Sequence, residues 1–265
     1  MAYAYVKGVR MYYEEIANEK PALLLVHGAA QDTLSWRFNL QALSRWFYVY
    51  AIDLPGHGKS QLAPTGPIDD LEVYALYVNA FADTMNLMRY AVMGHSMAGG
   101  IALHMALHRP EAVTAVFLVD GACYTSGTYG DEMFELVAIN PVDWFEVNFR
   151  TICSRSTDPG RIEEIAFDVR RCAPEVAFND IRAYAKLDLR GKMADVKTPL
   201  IAIHGEDDWS IPCELGKKTL EMAGGPTIYL PLNNVGHFPH TESPSVFNSA
   251  VEEAMKQLES LVKFQ

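Results

Sequence analysis

The chain has 265 residues, 49% of them hydrophobic and 21% charged, and 33 acidic against 22 basic side chains leave a formal charge of −11. That length fits one large domain or two small ones, and an acidic chain with no run of Lys or Arg argues against a nucleic-acid or membrane-surface partner. No stretch reaches the roughly 18 consecutive apolar residues of a membrane span, and residues 1–7 lack a signal peptide's apolar core, so a cytoplasmic protein is expected.

Taken in chain order, extended patterns at 4–7 and 10–16 are followed by a fully apolar run at 22–26, Ala22-Leu23-Leu24-Leu25-Val26. Bounded by Pro21 and Gly28, that run predicts a buried parallel strand. Helix-period segments at 33–46, 71–88 and 97–108 then interleave with strand candidates at 48–54, 90–93 and 113–119. Strand and helix in that rhythm imply right-handed crossovers and a mostly parallel sheet with helices on both faces. From 123 to 190 the rhythm stops, and the segment is amphipathic, aromatic and charged. The alternation returns with a strand at 199–203, a helix at 212–223, a strand at 227–232 and a helix at 244–262. Residues 1–122 and 191–265 are therefore expected to form one α/β core, with 123–190 a helical cap inserted after the sixth strand.

Cys123, Cys153, Cys172 and Cys213 are too sparse for a disulfide framework and show no C-x-x-C spacing. They read as reduced thiols, and neither a metal nor a cofactor is expected.

The stretch that carries chemistry is Gly94-His95-Ser96-Met97-Ala98-Gly99-Gly100, with a strand before it and a helix after it. Small residues around Ser96 permit a sharp strand-to-helix turn that lifts the hydroxyl above the sheet, the G-x-S-x-G nucleophile elbow with Ala98 in place of the second Gly. A serine hydroxyl needs a base to take its proton and a carboxylate to orient that base. Both follow in the order acid, then His. Asp208 lies in the loop after the strand at 199–203, and His237 lies in the loop after the strand at 227–232. Such loops converge at the carboxyl ends of parallel strands, so Ser96, Asp208 and His237 are the expected catalytic residues.

On these residues the chain resembles the α/β-hydrolase superfamily, in its small capped serine-esterase-like branch. His27-Gly28-Ala29-Ala30 is similar to the family's HG turn, and Asp53-Leu54-Pro55-Gly56-His57-Gly58-Lys59-Ser60 to its D-x-x-G-x-G-x-S loop. Gly205-x-x-Asp208-x-x-Ile211-Pro212 and Gly236-His237 are similar to its acid and base signatures. The resemblance implies the α/β-hydrolase fold and an oxyanion hole made by the backbone N–H groups of Ala29 and Met97. A serine nucleophile sets the chain apart from relatives that use aspartate, such as haloalkane dehalogenases and epoxide hydrolases.

Neighbouring residues have blander readings. Asp207 adjoins Asp208, but the spacing from Gly205 and to Pro212 favours Asp208. Asp120 stands where some relatives place the acid and is expected as a loop or cap contact. His95 reads as a hydrogen-bonded core histidine, His57 as serving the turn in its loop, and His240 as lining the surface beside His237. Asp53 is expected to brace the loop 56–60. His104 and His108 have the i, i+4 spacing of a helical metal pair, yet no third ligand is evident, so a helix-surface pair is expected.

The insertion supplies Tyr124, Tyr129, Phe134, Trp144, Phe145, Phe149, Phe178 and Tyr184, an aromatic set suited to an apolar pocket. The expected pocket residues are Trp144, Phe145, Phe149 and Tyr124, with Phe238 from the core. Arg150, Arg155, Arg170 and Arg171 are balanced by nearby acids, which leaves an anionic-substrate clamp unsupported. The expected partner is a small to medium, mostly apolar ester or lactone, cleaved through an acyl-enzyme; no oligomeric state is specified. C–C bond hydrolysis, perhydrolysis and hydroxynitrile-lyase-like cleavage are alternatives on the same triad. Slow-turnover, receptor-like ligand binding is the alternative of another class.

Overall fold

The strands are β1 (Ala2–Val6), β2 (Val9–Ile16), β3 (Ala22–Val26), β4 (Tyr48–Ile52), β5 (Tyr90–His95), β6 (Val113–Val119), β7 (Leu200–Gly205) and β8 (Thr227–Leu232). They form one sheet in the order β1-β2-β4-β3-β5-β6-β7-β8. β2 pairs antiparallel with β1 and β4, and every pairing from β4 to β8 is parallel. This computed structural model describes residues 2–263 other than 126, 128 and 129.

The helices are α1 (Leu40–Leu43), α2 (Leu71–Thr84), α3 (Met97–His108), α4 (Asp131–Ile139), α5 (Pro141–Ile152), α6 (Pro159–Asp168), α7 (Pro174–Ala185), α8 (Cys213–Met222), α9 (Pro239–Glu242) and α10 (Pro244–Lys263). The apolar run of β3 is buried on both sides. Ala22, Leu24 and Val26 face one core, while Leu23 and Leu25 face the other. A strand covered on both faces has no polar side to present, which is why its sequence does not alternate. The first core is covered by α2, α3, α8 and the helices between β6 and β7; the second is covered by α1 and α10. α10 closes that second face with Phe247, Val251, Ala254 and Leu258, spaced three and four apart on one stripe.

One expected helix is broken. The segment 33–46 forms a 3₁₀ turn, Thr33–Trp36, and then the single turn α1. The Asp32 side chain caps the turn by accepting the Leu34 N–H at 2.9 Å. Trp36 is fully buried between His240 and Phe247. Burying one large ring overrides the helical period of the segment.

α4 to α7 all lie between β6 and β7. Pro141, Pro159 and Pro174 open α5, α6 and α7, where a missing N–H costs nothing, and the Asn140 and Asp158 side chains cap the first two. The two ends of this segment run side by side. Tyr124 pairs with Asp188 in an isolated antiparallel bridge, and the Leu189 N–H donates to the Cys123 carbonyl at 2.8 Å. Among the described residues no helix is long and apolar enough to cross a membrane.

Candidate active site

β5 ends at His95 and α3 begins at Met97, so Ser96 alone turns the chain, at φ 55° and ψ −121°. A non-glycine residue there stores strain, on the order of 1–3 kcal/mol, that the surrounding structure must enforce. Gly94 makes the turn possible: a Cβ on it would lie 2.1 Å from the Ala98 carbonyl oxygen. It is the backbone of Ala98 that meets Gly94, so the departure from Gly at 98 leaves the elbow intact.

The structure brings the three sequence-predicted side chains together. Ser96 Oγ lies 2.9 Å from His237 Nε2, and His237 Nδ1–H donates to Asp208 Oδ2 at 2.7 Å. Asp208 is held by its other oxygen, which accepts the Ser210 and Ile211 N–H groups at 2.8 and 3.0 Å. Asp207 faces elsewhere and accepts the Ser154 hydroxyl at 2.5 Å. Asp208 and His237 are buried, while Ser96 is partly open.

The loop bearing His237 is clamped by Glu242, which sequence reasoning missed. Its carboxylate accepts the N–H groups of Ser154, Gly236 and Phe238 at 2.9, 3.0 and 2.8 Å, together with the Thr157 hydroxyl. The run Gly236-His237-Phe238-Pro239-His240-Thr241-Glu242 is a weak signal for it, because a carboxylate at the start of the next helix can reach back to the loop that precedes it.

Asp120 sits behind the relay. Its Oδ1 accepts the Gly205 N–H at 2.9 Å, and it does not bond to His237. Burial, and then the charge of Asp208 beside it, push its carboxyl well above the ordinary carboxylate range. His95 is buried as expected, its Nδ1 3.0 Å from the Gln31 side-chain amide and its Nε2–H donating to the His237 carbonyl at 2.8 Å. Burial holds it well below the usual imidazole range. Asp53 accepts the Lys59 and Thr33 N–H groups at 2.8 and 2.7 Å, bracing its loop.

Two histidines differ from expectation. His240 is wholly buried, its ring 4.4 Å from that of Trp36, because the turn into α9 directs it inward. His57 does more than serve its turn: its Nε2–H donates to Asp180 of α7 at 2.8 Å, in a site closed to water. Burial alone would disfavour the imidazolium, but the charges of Asp180 and Cys172 override it and raise the His57 pKa well above its ordinary value. Asp180 also accepts the Tyr74 hydroxyl at 2.8 Å and the Ala30 N–H at 2.9 Å.

Ala29 and Met97 both line a cavity that opens onto Ser96. Met97 is the first residue of α3, so its N–H has no intrahelical acceptor, and among the described residues the Ala29 N–H has none either. Trp144, Phe145, Phe149 and Phe238 line the same cavity. They form a chain of edge-to-face rings, with centroids 5.1, 5.6 and 4.8 Å apart, that links α5 to the His237 loop. Tyr124 does not reach it. Its position in the bridge to Asp188 holds it at the neck of the insertion, under the Arg190 guanidinium. Tyr129 lies outside the described residues. Ile152, Ile181, Ile211 and Tyr184 also line it, with Gln31, Asn148 and Ser210 among its polar side chains, and the described lining carries no Lys, Arg, Asp or Glu. Arg150, Arg170 and Arg171 are spent on Glu146, Glu163, Asp32 and Asp168.

Away from the cavity, the reading of His104 and His108 as a surface pair needs correcting. His104 is 8% exposed, and α2 places Glu72 beside His108, so a third possible donor is present.

The fold and the elbow define a class. The family model described as alpha/beta hydrolase fold matches residues 21–151, just under half of the chain, and the chain has the α/β-hydrolase fold. In overall structure the chain is similar to the enol-lactonase of Burkholderia xenovorans LB400, with a TM-score of 0.86 and 22% identity over 96% of this chain and 100% of that one. In sequence it is similar to a strigolactone esterase of Pisum sativum, 24% identical over 253 residues, 89% of this chain and 92% of that protein. It also resembles the dihydrolipoyllysine-residue acetyltransferase component of the acetoin cleaving system of Cupriavidus necator, 37% identical over 117 residues. That match covers 44% of this chain and 31% of the relative, so the chain corresponds to under a third of that protein's length.

Proposed function

We propose that the chain is a serine hydrolase that cleaves small to medium, mostly apolar carboxylic esters or lactones. The carrying observation is the hydrogen-bonded series Ser96, His237, Asp208, at 2.9 and 2.7 Å, opening into a cavity walled by aromatic and aliphatic side chains. His237 takes the Ser96 proton as Oγ attacks the carbonyl carbon. The carbonyl π pair moves to oxygen, which the Ala29 and Met97 N–H groups receive, each such donor worth about 2.7–4 kcal/mol. Collapse expels the alcohol with the proton held by His237 and leaves an acyl-Ser96. Water, deprotonated by His237, then releases the acid. Asp208 holds the imidazole in the tautomer that presents Nε2 to the serine. The absence of charge from the described cavity wall favours uncharged acyl groups, since an ionised substrate would lose its hydration without gaining a partner. The esterase and lactonase among the relatives are consistent with that substrate class.

The test is labelling with a fluorophosphonate, peptide mapping, and turnover of p-nitrophenyl acetate and butyrate. Label on Ser96, with turnover abolished in a folded Ser96→Ala variant, is expected. Label elsewhere, or unchanged turnover in that variant, overturns the proposal.

A further inference from the structure

α3 starts directly after the elbow residue Ser96 and ends at His108, so its far end lies roughly 18 Å from Ser96 at 1.5 Å per residue. At that far end three donors from two helices meet. His104 and His108, four residues apart, share one face of α3. Glu72, in the first turn of α2, accepts the His108 Nε2–H at 2.7 Å. One donor atom from each of the three residues lies within 4.8 Å of the others. His104 is the informative member. It is more than nine-tenths buried, makes no hydrogen bond among the described residues, and faces a groove that Glu72, Asp70, Leu187 and Lys192 also line. With no hydrogen bond of its own among the described residues and its ring nitrogens not sealed from the groove, the imidazole is free to meet an occupant there.

We propose that Glu72, His104 and His108 bind a divalent transition-metal cation of the zinc type, tying α2 to α3. Two imidazole nitrogens and one carboxylate oxygen make a three-donor set with a fourth position open to water, suited to zinc and its neighbours rather than to calcium or magnesium. Entry of the cation requires the donors to close around it, the longest contacts, of up to 4.8 Å, contracting to the spacing of a tetrahedral shell. The proton on His108 Nε2 leaves for Nδ1 or solvent, and the 2.7 Å contact widens to about 3.3 Å, as metal–ligand bonds near 2.0 Å in a tetrahedral array require. The surrounding charges permit a cation. Lys186 is paired with Asp69 and Arg109 with Asp83, and Lys192 shares the groove with Asp70 and Asp188. The site is too far from Ser96 to take part in acyl transfer, and it stands whether or not the hydrolase proposal does.

The test uses the full chain, stripped with a chelator and titrated with Zn²⁺ by calorimetry and with Co²⁺ by visible absorption. One Zn²⁺ per chain is expected, with tetrahedral cobalt bands and a thermal midpoint that rises with zinc. Ligand-shell partners alone commonly change metal affinity by 10–100-fold, so His108→Ala and Glu72→Gln, both at accessible positions, should each weaken binding by about tenfold or more. A His237→Ala variant should bind as the parent does, which separates this site from the cluster around Asp208. Absence of saturable binding at millimolar zinc, or affinity unchanged in both His108→Ala and Glu72→Gln, overturns the proposal.

Discussion

The Asp180 carboxylate, on a helix inserted 150 residues further along the chain, accepts the backbone N–H of Ala30 at 2.9 Å. Ala30 is held at φ 56°, next to the Ala29 amide that lines the cavity. The same carboxylate pairs with His57 and Tyr74, so one buried group joins the inserted helices, the HG turn, the 53–60 loop and α2.

Asp180→Asn keeps the shape but breaks this buried pair. Losing one partner of such a pair costs about 3–5 kcal/mol, which urea unfolding should detect. Because the Ala29 amide is positioned through Ala30, kcat for p-nitrophenyl butyrate should fall while KM changes little, as expected for an interaction made in the transition state. A stability loss with kcat unchanged would restrict Asp180 to a structural role.

Glu242→Gln replaces one accepting oxygen with an amide that can only donate, opposite a carboxylate site filled by four donors. An unsatisfied buried donor costs about 1–3 kcal/mol, so the thermal midpoint should drop by roughly 2–12 °C in a chain of this size. Turnover should fall with it, since His237 sits inside the clamped loop. Calorimetry and ester kinetics on the same sample check both.

Asp120 carries the pH prediction. Its folded pKa is raised well above 3.8 by burial and by Asp208, so the folded state favours the protonated form. Its contribution to stability is complete below the unfolded carboxylate value and is lost as pH rises through the folded one. Asp120→Asn should therefore be more stable than the parent at neutral to alkaline pH, with a flatter dependence above pH 4. Denaturant midpoints across pH 4 to 9 read the difference; parallel curves for the two proteins would contradict it.

Trp144 lines the cavity and is only partly buried in the fold. Trp144→Ala should leave the fold intact and admit longer acyl chains, raising the ratio of kcat/KM for octanoate over butyrate esters about tenfold. That is the scale of one or two methylenes in an apolar pocket. A graded ester panel measures it.

How much of this was legible in advance differs by residue. The strand runs at 22–26 and 113–119 are short, apolar and bounded by turn residues, so burial on both faces follows from composition alone. Ser96, Asp208 and His237 are readable because each follows a strand, and loops at the carboxyl ends of parallel strands must converge. Trp144, Phe145, Phe149 and Phe238 follow from an aromatic supply, whereas Tyr124 does not, because its distance from the cavity is set by a bridge to Asp188 that no local pattern announces. His240, read as lining the surface beside His237, and His104, read as part of a helix-surface pair from its spacing, are buried by the packing of α9 and α2.

By itself, then, the sequence determined the order of strands and helices and the identity of the three residues that meet at the elbow. These follow from local signals: hydrophobic period, turn residues and chain order. The tertiary structure alone decided which carboxylate serves which loop. Asp180, Glu242 and Asp120 act across 150, 88 and 85 residues, and Glu72 reaches His108 across 36. A carboxylate's partner is whatever donor lies within about 3 Å once the chain has folded, and that proximity is written in packing rather than in any local pattern.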